Sequence, residues 1–288
     1  MIALCLLDTV EDHVNYVSIS KYADDDKFYA KVTNDEEHKR MQDDIDNIVN
    51  WAHSWGFVLN ADKCRVLQFG GKHQYDFFMN GEAVKKETFA KDLGVKVDDK
   101  LTWSEQIKYV VGKAKRRGYC MSRALISKNA KTWTLLYKGY IRSILEYALT
   151  AYCPYQRGHL DALERVQRWM TRQIPGIGKR PYEKRREICN LSTIEDRMTR
   201  GLAIEMFKIK NNLYGISKDR FSEINHQYNS RSISSQNVYQ ELAKSDKRKY
   251  AFTCRSSSIW RKIPSEVKKC TTTLAFKVAY DSWNKNVT

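Results

Sequence analysis

Two adjacent aspartates, Asp24 and Asp25, are the residues of this 288-residue chain whose chemistry is easiest to define. Carboxylates are hard oxygen ligands of the kind that Mg²⁺ prefers, and two such ions can activate a hydroxyl and stabilise a departing pyrophosphate. Neighbouring residues of a regular strand point to opposite faces, so both side chains serve one metal site best when a tight hairpin turn presents them. Taken alone, the pair suits an ordinary polar turn better.

The sequence around the aspartates predicts the elements that would position them. Extended, partly alternating stretches between Val14 and Val32 predict a β-hairpin with the aspartates at its turn. Apolar residues then recur at spacings of three and four from Met41 to Trp55, which predicts a helix that Gly56 ends. Short strands follow over residues 64–69 and 75–84, and the Asn80-Gly81 pair predicts a two-residue hairpin turn.

The pattern becomes helical after one more predicted strand, which carries Leu93, Val95 and Val97. Four apolar stripes predict helices over residues 107–125, 132–152, 160–174 and 194–211, the second of them stopped by Pro154. A polar, serine-rich stretch over residues 225–246 reads as a linker or mobile loop, and residues 247–288 as a small closing unit. The predicted fold class is therefore α+β, with antiparallel hairpins and a helix first and a mostly α-helical region after them.

The charge balance favours polyanionic partners. Lysine and arginine total 50 against 34 acidic residues, which gives a formal charge of +16. Nucleic acid is the first candidate partner. The alternative is a basic surface that serves solubility alone.

The cysteine pattern and the first residues of the chain indicate the cellular compartment. The seven cysteines include no Cys-x-x-Cys pair of the kind that metal or redox motifs need, so a reducing compartment is expected. The apolar start from Ile2 to Leu7 is too short for a signal peptide, and no apolar run reaches membrane-spanning length. A soluble intracellular protein without a membrane partner is the expectation.

Several motifs together resemble one family, the reverse transcriptases of jockey-like non-LTR (LINE) retrotransposons. Tyr22-Ala23-Asp24-Asp25 is similar to the metal-binding palm motif of these enzymes. The segments after it also resemble the family in order, from the palm through a helical thumb and connection to the closing pattern: Trp51, Trp55, Leu59-Asn60, Lys63-Cys64, Asp92-Leu93-Gly94-Val95, Leu163-Glu164, Val166-Gln167-Arg168, Thr171-Arg172, Tyr182-Glu183, Leu191, Glu195, Phe252, Arg255, Trp260, Ile263-Pro264, Val267 and Phe276-Lys277.

The resemblance implies roles for individual residues. Asp24 would be a principal Mg²⁺ ligand and Asp25 a supporting one, with Mn²⁺ as an alternative ion, while Tyr22 would border the nucleotide and the primer end. Lys63 would donate a proton to the departing pyrophosphate. The alternative is that Lys63 is an ordinary surface lysine. Leu93 and Gly94 would shape the primer grip, where a small residue lets the nucleic-acid backbone approach closely. A glycine at a simple strand bulge is the alternative there.

Basic residues on the predicted thumb-like helices suit phosphate contacts that do not read sequence. Each of them is, as an alternative, part of a solvated charged face. The predicted nucleic-acid-binding residues are Lys113, Lys115, Arg116, Arg117, Arg168 and Arg172. The implied partners are an RNA template, a DNA primer and, in a complete enzyme, deoxynucleoside triphosphates.

The resemblance divides the chain into a partial palm (1–98), a helical thumb and connection (99–224), a polar linker (225–246) and a tail unit (247–288). Some positions depart from the family pattern: Asp26 stands where threonine is common, and Asp92 replaces an aromatic residue. Asp26 is expected either to shift metal affinity or to point outward.

The family also needs an aspartate on a palm strand upstream of this sequence, so the chain alone is expected not to polymerise DNA. Two alternatives stay open, a non-catalytic basic nucleic-acid-binding protein derived from such an element and a remnant without function. The resemblance to the family implies a location in the nucleus or in a cytoplasmic ribonucleoprotein.

Overall fold

The protein is described by a computed structural model that covers residues 9–22, 25–70, 74–126, 128–214 and 243–287. Two compact units are present, residues 1–102 and residues 103–288. The first unit contains small β-hairpins around one helix, and the regular elements in the described residues of the second unit are all helices. The predicted α+β fold class agrees with this architecture.

The first unit carries the hairpin that the sequence predicts around the aspartates. Its regular elements are, in chain order, a 3₁₀ turn at Thr9–His13, β1 (Ser18–Tyr22), β2 (Asp25–Tyr29), α1 (Asp35–Ser54), a 3₁₀ turn at Ala61–Lys63, β3 (Arg65–Val66), β4 (Phe78–Met79), β5 (Glu82–Ala83), β6 (Lys85–Lys86), β7 (Phe89–Asp92) and β8 (Val95–Asp98).

Strand pairing in the first unit is mostly local. The pairs β1–β2, β4–β5 and β7–β8 are antiparallel, whereas β3 pairs in parallel with β6. The predicted turn at Asn80-Gly81 joins β4 to β5, and both residues have positive φ, as a type I′ turn requires. Leu93 belongs to the turn between β7 and β8 and not, as predicted, to a strand.

Helix α1 has clear local causes. The Asn34 side chain accepts a hydrogen bond from the Glu37 N–H at 2.8 Å, so one otherwise unpaired donor of the first turn is satisfied. Gly56, with φ of +74°, follows the last turn and donates its N–H to the His53 carbonyl, as the sequence predicts. The inward face of α1 packs on a small core that contains Ile45, Val49, Ala61, Phe77, Met79 and Val84.

The described residues of the second unit form a series of helices. They are α2 (Ser104–Ala124), α3 (Ala130–Leu136), a π-helical segment at Tyr137–Arg142, α4 (Ser143–Glu146), α5 (Leu149–Tyr152), α6 (Arg157–Arg172), α7 (Tyr182–Cys189), α8 (Ile194–Lys210), α9 (Asp246–Lys249), α10 (Phe252–Lys262), α11 (Ser265–Lys268) and α12 (Thr273–Val287).

The single helix predicted over residues 132–152 is wrong. Ala148 adopts a left-handed conformation with φ of +53°, which interrupts the helix after α4. Leu149 and Tyr152, which follow this interruption, are both buried. Core packing therefore outweighs the helical preference of this stretch.

The last helices share a core with α8. Phe207 of α8 stacks on Phe276 of α12 with ring centres 4.4 Å apart, and Trp260 of α10 lies against the same ring. Arg200 and Asp281 form a two-fold hydrogen-bonded ion pair between α8 and α12. Most of the linker predicted at residues 225–246 lies outside the described residues. The four-part division of the chain stays a prediction.

No helix within the described residues is long and apolar enough to cross a membrane.

Candidate functional site

The hairpin β1–β2 presents one of the two predicted metal ligands. Its strands pair from Ser18 with Tyr29 to Tyr22 with Asp25, so the ladder ends where the two-residue connection Ala23-Asp24 begins. Asp24, the predicted principal ligand, lies outside the described residues. Tyr22 is 64% exposed, and Asp25 is also exposed.

The alternation of side chains divides the hairpin into two faces. Asp25 and Lys27 lie on one face together with Tyr22, because directly paired residues share a side of the sheet. Asp26 lies on the opposite, half-buried face, opposite Lys21. Asp26 therefore points away from Asp25 but not to open solvent, so the outward orientation is wrong, whereas its effect on metal affinity stays a prediction.

Asp26 is an electrostatically unfavourable residue of the hairpin. Burial raises the pKa of its carboxyl, the neighbouring charge of Asp25 raises it further, and Lys21 opposes the shift. Its Oδ1 is buried and makes no hydrogen bond within the described structure. Because a raised folded-state pKa favours the protonated form, Asp26 detracts from stability as the pH rises through that pKa.

A second hairpin, β7–β8, carries the predicted primer-grip residues. Leu93 and Gly94 form its two-residue turn with φ of +43° and +84°, and Asp92 pairs with Val95 at its end. A left-handed leucine costs about 1–2 kcal/mol because its Cβ approaches the backbone, so this turn holds local strain. Leu93 is 41% exposed at the tip.

An ion pair joins the two hairpins. Lys27 Nζ lies 2.5 Å from Asp92 Oδ1, and both side chains are partly buried. Lys27 is two residues beyond Asp25 on the same face, and Asp92 immediately precedes the Leu93-Gly94 turn. Asp92, which departs from the family pattern, is thus paired with Lys27, and the ion pair places the hairpin β7–β8 beside the face that carries Asp25.

A buried carboxylate on α1 holds the chain that leads into β1. Asp44 is 2% exposed, and its two oxygens accept hydrogen bonds from the backbone N–H groups of Asn15, Tyr16 and Val17 at 3.0, 2.7 and 2.9 Å. The sequence interpretation missed this residue. Its signal is a charged side chain beside Ile45 on the apolar face of the predicted helix.

Lys63, the predicted proton donor, ends the 3₁₀ turn Ala61–Lys63. Asn60 caps this turn by accepting the Asp62 N–H, and the Lys63 side chain is exposed. Its catalytic role stays a prediction.

The residues fit a divalent cation in part. Asp25 is exposed and offers carboxylate oxygens, the type of ligand that a hard cation prefers. Among the described residues, however, no three histidine, cysteine, aspartate or glutamate side chains come together as a metal site. Asp25 and Asp24 would therefore hold a metal only with further ligands.

The predicted nucleic-acid-binding residues of the second unit lie on α2 and α6, which pack against each other where Gly118 meets Trp169 and Met170. Lys113, Lys115, Arg116 and Arg117 on α2 are exposed, as are Arg168 and Arg172 on α6. None of the six forms an ion pair with a carboxylate in the described structure. Other basic residues of this unit, such as Arg157 and Lys184, are paired with glutamate.

Sequence reasoning also missed a buried polar network between α6, α7 and α8. Gln167 is fully buried and donates to Glu164, Tyr182 and the Ser192 carbonyl, while its Oε1 accepts from the Tyr137 hydroxyl at 2.8 Å. Glu164 also accepts the Ile194 N–H at 2.8 Å. Burial raises the pKa of Tyr137 well above its ordinary value, so this hydroxyl stays protonated.

The chain is similar to two curated proteins, both described as the RNA-directed DNA polymerase from mobile element jockey. The relative from Drosophila melanogaster is 26% identical over 166 residues, which cover 56% of this chain and 18% of the relative. The one from Drosophila funebris is 29% identical over 182 residues, or 61% of this chain and 20% of the relative. The chain therefore spans about a fifth of the length of these relatives. No family profile and no solved structure matches it.

Proposed function

We propose that the chain forms the late palm and the following helical part of a non-LTR retrotransposon reverse transcriptase. The proposal is based on its similarity to a region of jockey-type RNA-directed DNA polymerase. Residues 1–98 would supply the palm hairpins, residues 99–224 the thumb and connection, and residues 247–288 the tail. The ion pair between Lys27 and Asp92 carries the proposal, since it joins the hairpin of Asp25 to the hairpin of Leu93 and Gly94.

The exposed face of β1–β2 would meet the primer end. Tyr22 and Asp25 close its ladder, and Lys27 holds the strained Leu93-Gly94 turn beside the same face. Asp24 and Asp25 would bind Mg²⁺, which when present activates the primer 3′-hydroxyl and stabilises the departing pyrophosphate. Lys63, which is exposed, would donate a proton to that pyrophosphate.

Two neighbouring carboxylates are too few protein ligands for a two-metal site. The polypeptide of residues 1–288 alone would therefore bind primer and template without extending the primer. The relatives are about five times longer than the segment they share with this chain, which leaves room there for the other ligands.

Primer extension on an RNA template, with Mg²⁺ and in parallel with Mn²⁺, tests the claim of inactivity. We expect no product from the chain or from its Asp24→Asn variant, because the metal site lacks ligands. A long jockey-type polymerase serves as the positive control. Mg²⁺-dependent extension by the chain that the Asp24→Asn substitution abolishes would overturn the claim.

A second candidate function is non-catalytic nucleic-acid binding. The observation that favours it is the set of exposed basic residues on α2 and α6 without carboxylate partners in the described structure. Such a protein would bind polynucleotides with the same helices but would not place a primer end at the hairpin.

A further inference from the structure

One part of the second unit concentrates arginine around a single aromatic ring. The guanidinium carbons of Arg168, Arg185 and Arg186 lie 4.9, 5.4 and 5.5 Å from the centre of the Tyr182 ring. Contacts with an aromatic ring hold each guanidinium in place by attraction to the ring electrons, so the positive charges are preorganised.

Arg185 adds a buried positive charge to the exposed charges of this cluster. It is 4% exposed and donates to the Arg168 carbonyl and the Thr171 hydroxyl, whereas its Nε has no hydrogen-bond partner within the described residues. Burial and the nearby charge of Arg172 lower its pKa, but an arginine stays charged at any physiological pH. A cation buried without a direct carboxylate partner favours the approach of an anion.

Few acidic groups offset these charges. The carboxylates near the cluster are Glu164, which is buried in the Gln167 network, and Glu183, which contributes to the field at Arg185. Glu187 is 2.8 Å from Lys184 and is thus already paired. Arg168, Arg172 and Arg186 have no ion pair with a carboxylate in the described structure.

The loop after α6 continues the basic surface. Arg172 and Lys179 both line a shallow concavity formed by residues 172–179, and both are exposed. The loop is tightly folded there, because a Cβ on Gly178 would lie 2.3 Å from the Arg172 carbonyl oxygen. The concavity therefore lies in a tightly folded loop with basic side chains at its edge.

We infer that this Tyr182 face, formed by Arg168, Arg172, Lys179 and Arg186 with Arg185 beneath them, binds the phosphodiester backbone of a polynucleotide. Guanidinium groups match phosphate geometry, and the Tyr182 ring is already occupied by arginines, so the contact reads backbone and not bases. The inference rests on the nucleic-acid-binding part of the proposed function but adds a site on α7 and its loop.

The test compares two charge-matched double variants of the full chain. Arg168→Gln with Arg186→Gln removes two charges from the Tyr182 face, and Arg157→Gln with Lys184→Gln removes two that already have acidic partners. Binding of a 20-nucleotide single-stranded RNA is measured from low to moderate salt. The probe has no primer end, so its result does not depend on the palm hairpins.

We expect the first double variant to bind about tenfold more weakly or worse and to lose roughly one unit of salt slope per residue. The control should stay close to the parent, and homopolymeric and mixed-sequence RNA should bind alike. Circular dichroism spectra verify that both variants fold. Equal slopes for the two variants would overturn the inference, as would displacement of the RNA by polyglutamate of equal charge, which would indicate an acidic protein partner. The assignment of the hairpins to a polymerase palm would survive either result.

Discussion

Replacing Asp44 with alanine is expected to lower the free energy of unfolding of the first unit by about 3–5 kcal/mol. Three backbone N–H groups, those of Asn15, Tyr16 and Val17, donate to this carboxylate and would lose their acceptor. Hydrogen bonds to a charged group each contribute about 1.5–3 kcal/mol, and their sum is reduced because they share one acceptor. The loss is a large part of the 5–15 kcal/mol that typically stabilises a domain.

Hydrogen exchange of the segment that contains these amides measures the effect where it arises. The expected result is fast exchange at residues 15–17 and in β1 of the variant. Asp43→Ala is the matched control, because Asp43 is the preceding residue of the same helix and is exposed. Equal protection in the two variants would contradict the role assigned to Asp44.

The second large effect is expected for Gln167→Leu, which should lower the free energy of unfolding of the helical unit by about 3–5 kcal/mol. Leucine fills most of the volume but leaves the Tyr137 hydroxyl and the Ser192 carbonyl without their partners. Each buried polar group left unpaired costs about 1–3 kcal/mol.

Urea unfolding followed by circular dichroism gives this quantity. Tyr137→Phe removes only the hydrogen bond to Gln167 Oε1 and should cost about 1–2 kcal/mol. Gln173→Leu, at the half-buried residue that directly follows the last residue of α6, is the control. The network would have no stabilising role if Gln167→Leu were as stable as Gln173→Leu.

Local patterns predicted the local elements well. The alternation around Asp24-Asp25 and the spacing from Met41 to Trp55 each describe one element whose cause lies within its own residues. The hairpin β1–β2 and the helix α1 confirm both elements, although Asp25, predicted at the turn, is the first residue of β2. The turn at Asn80-Gly81 is confirmed for the same reason, since both residues readily adopt positive φ.

Features set by distant contacts were not predicted. The left-handed Ala148 has no local signal, because alanine ordinarily favours a continued helix. Asp44 and Gln167 each lie on an apolar stripe of their helices, but the sequence does not show which distant groups form hydrogen bonds with them. Asp92 appeared to be a departure without cause until the structure placed Lys27 beside it.

The candidate site was predictable in its residue types and not in its geometry. The roles of Asp25, Tyr22, Leu93 and Gly94 stay predictions from the sequence, and the structure joins their two hairpins in one unit. Asp26 shows the limit of the sequence, because only the strand register places it on the face away from Asp25.

Photochemical labelling from the primer 3′ end tests the central claim most directly. A primer-template of DNA on RNA, with a photoreactive nucleotide as the last primer residue, is bound to the chain, irradiated and mapped by mass spectrometry. The account predicts labels in the hairpin segments 18–29 and 89–98, reduced by Tyr22→Ala and unchanged by Tyr29→Ala, which alters the other end of the same face. Labels confined to the helices of residues 103–288 would contradict the palm assignment and support non-catalytic binding.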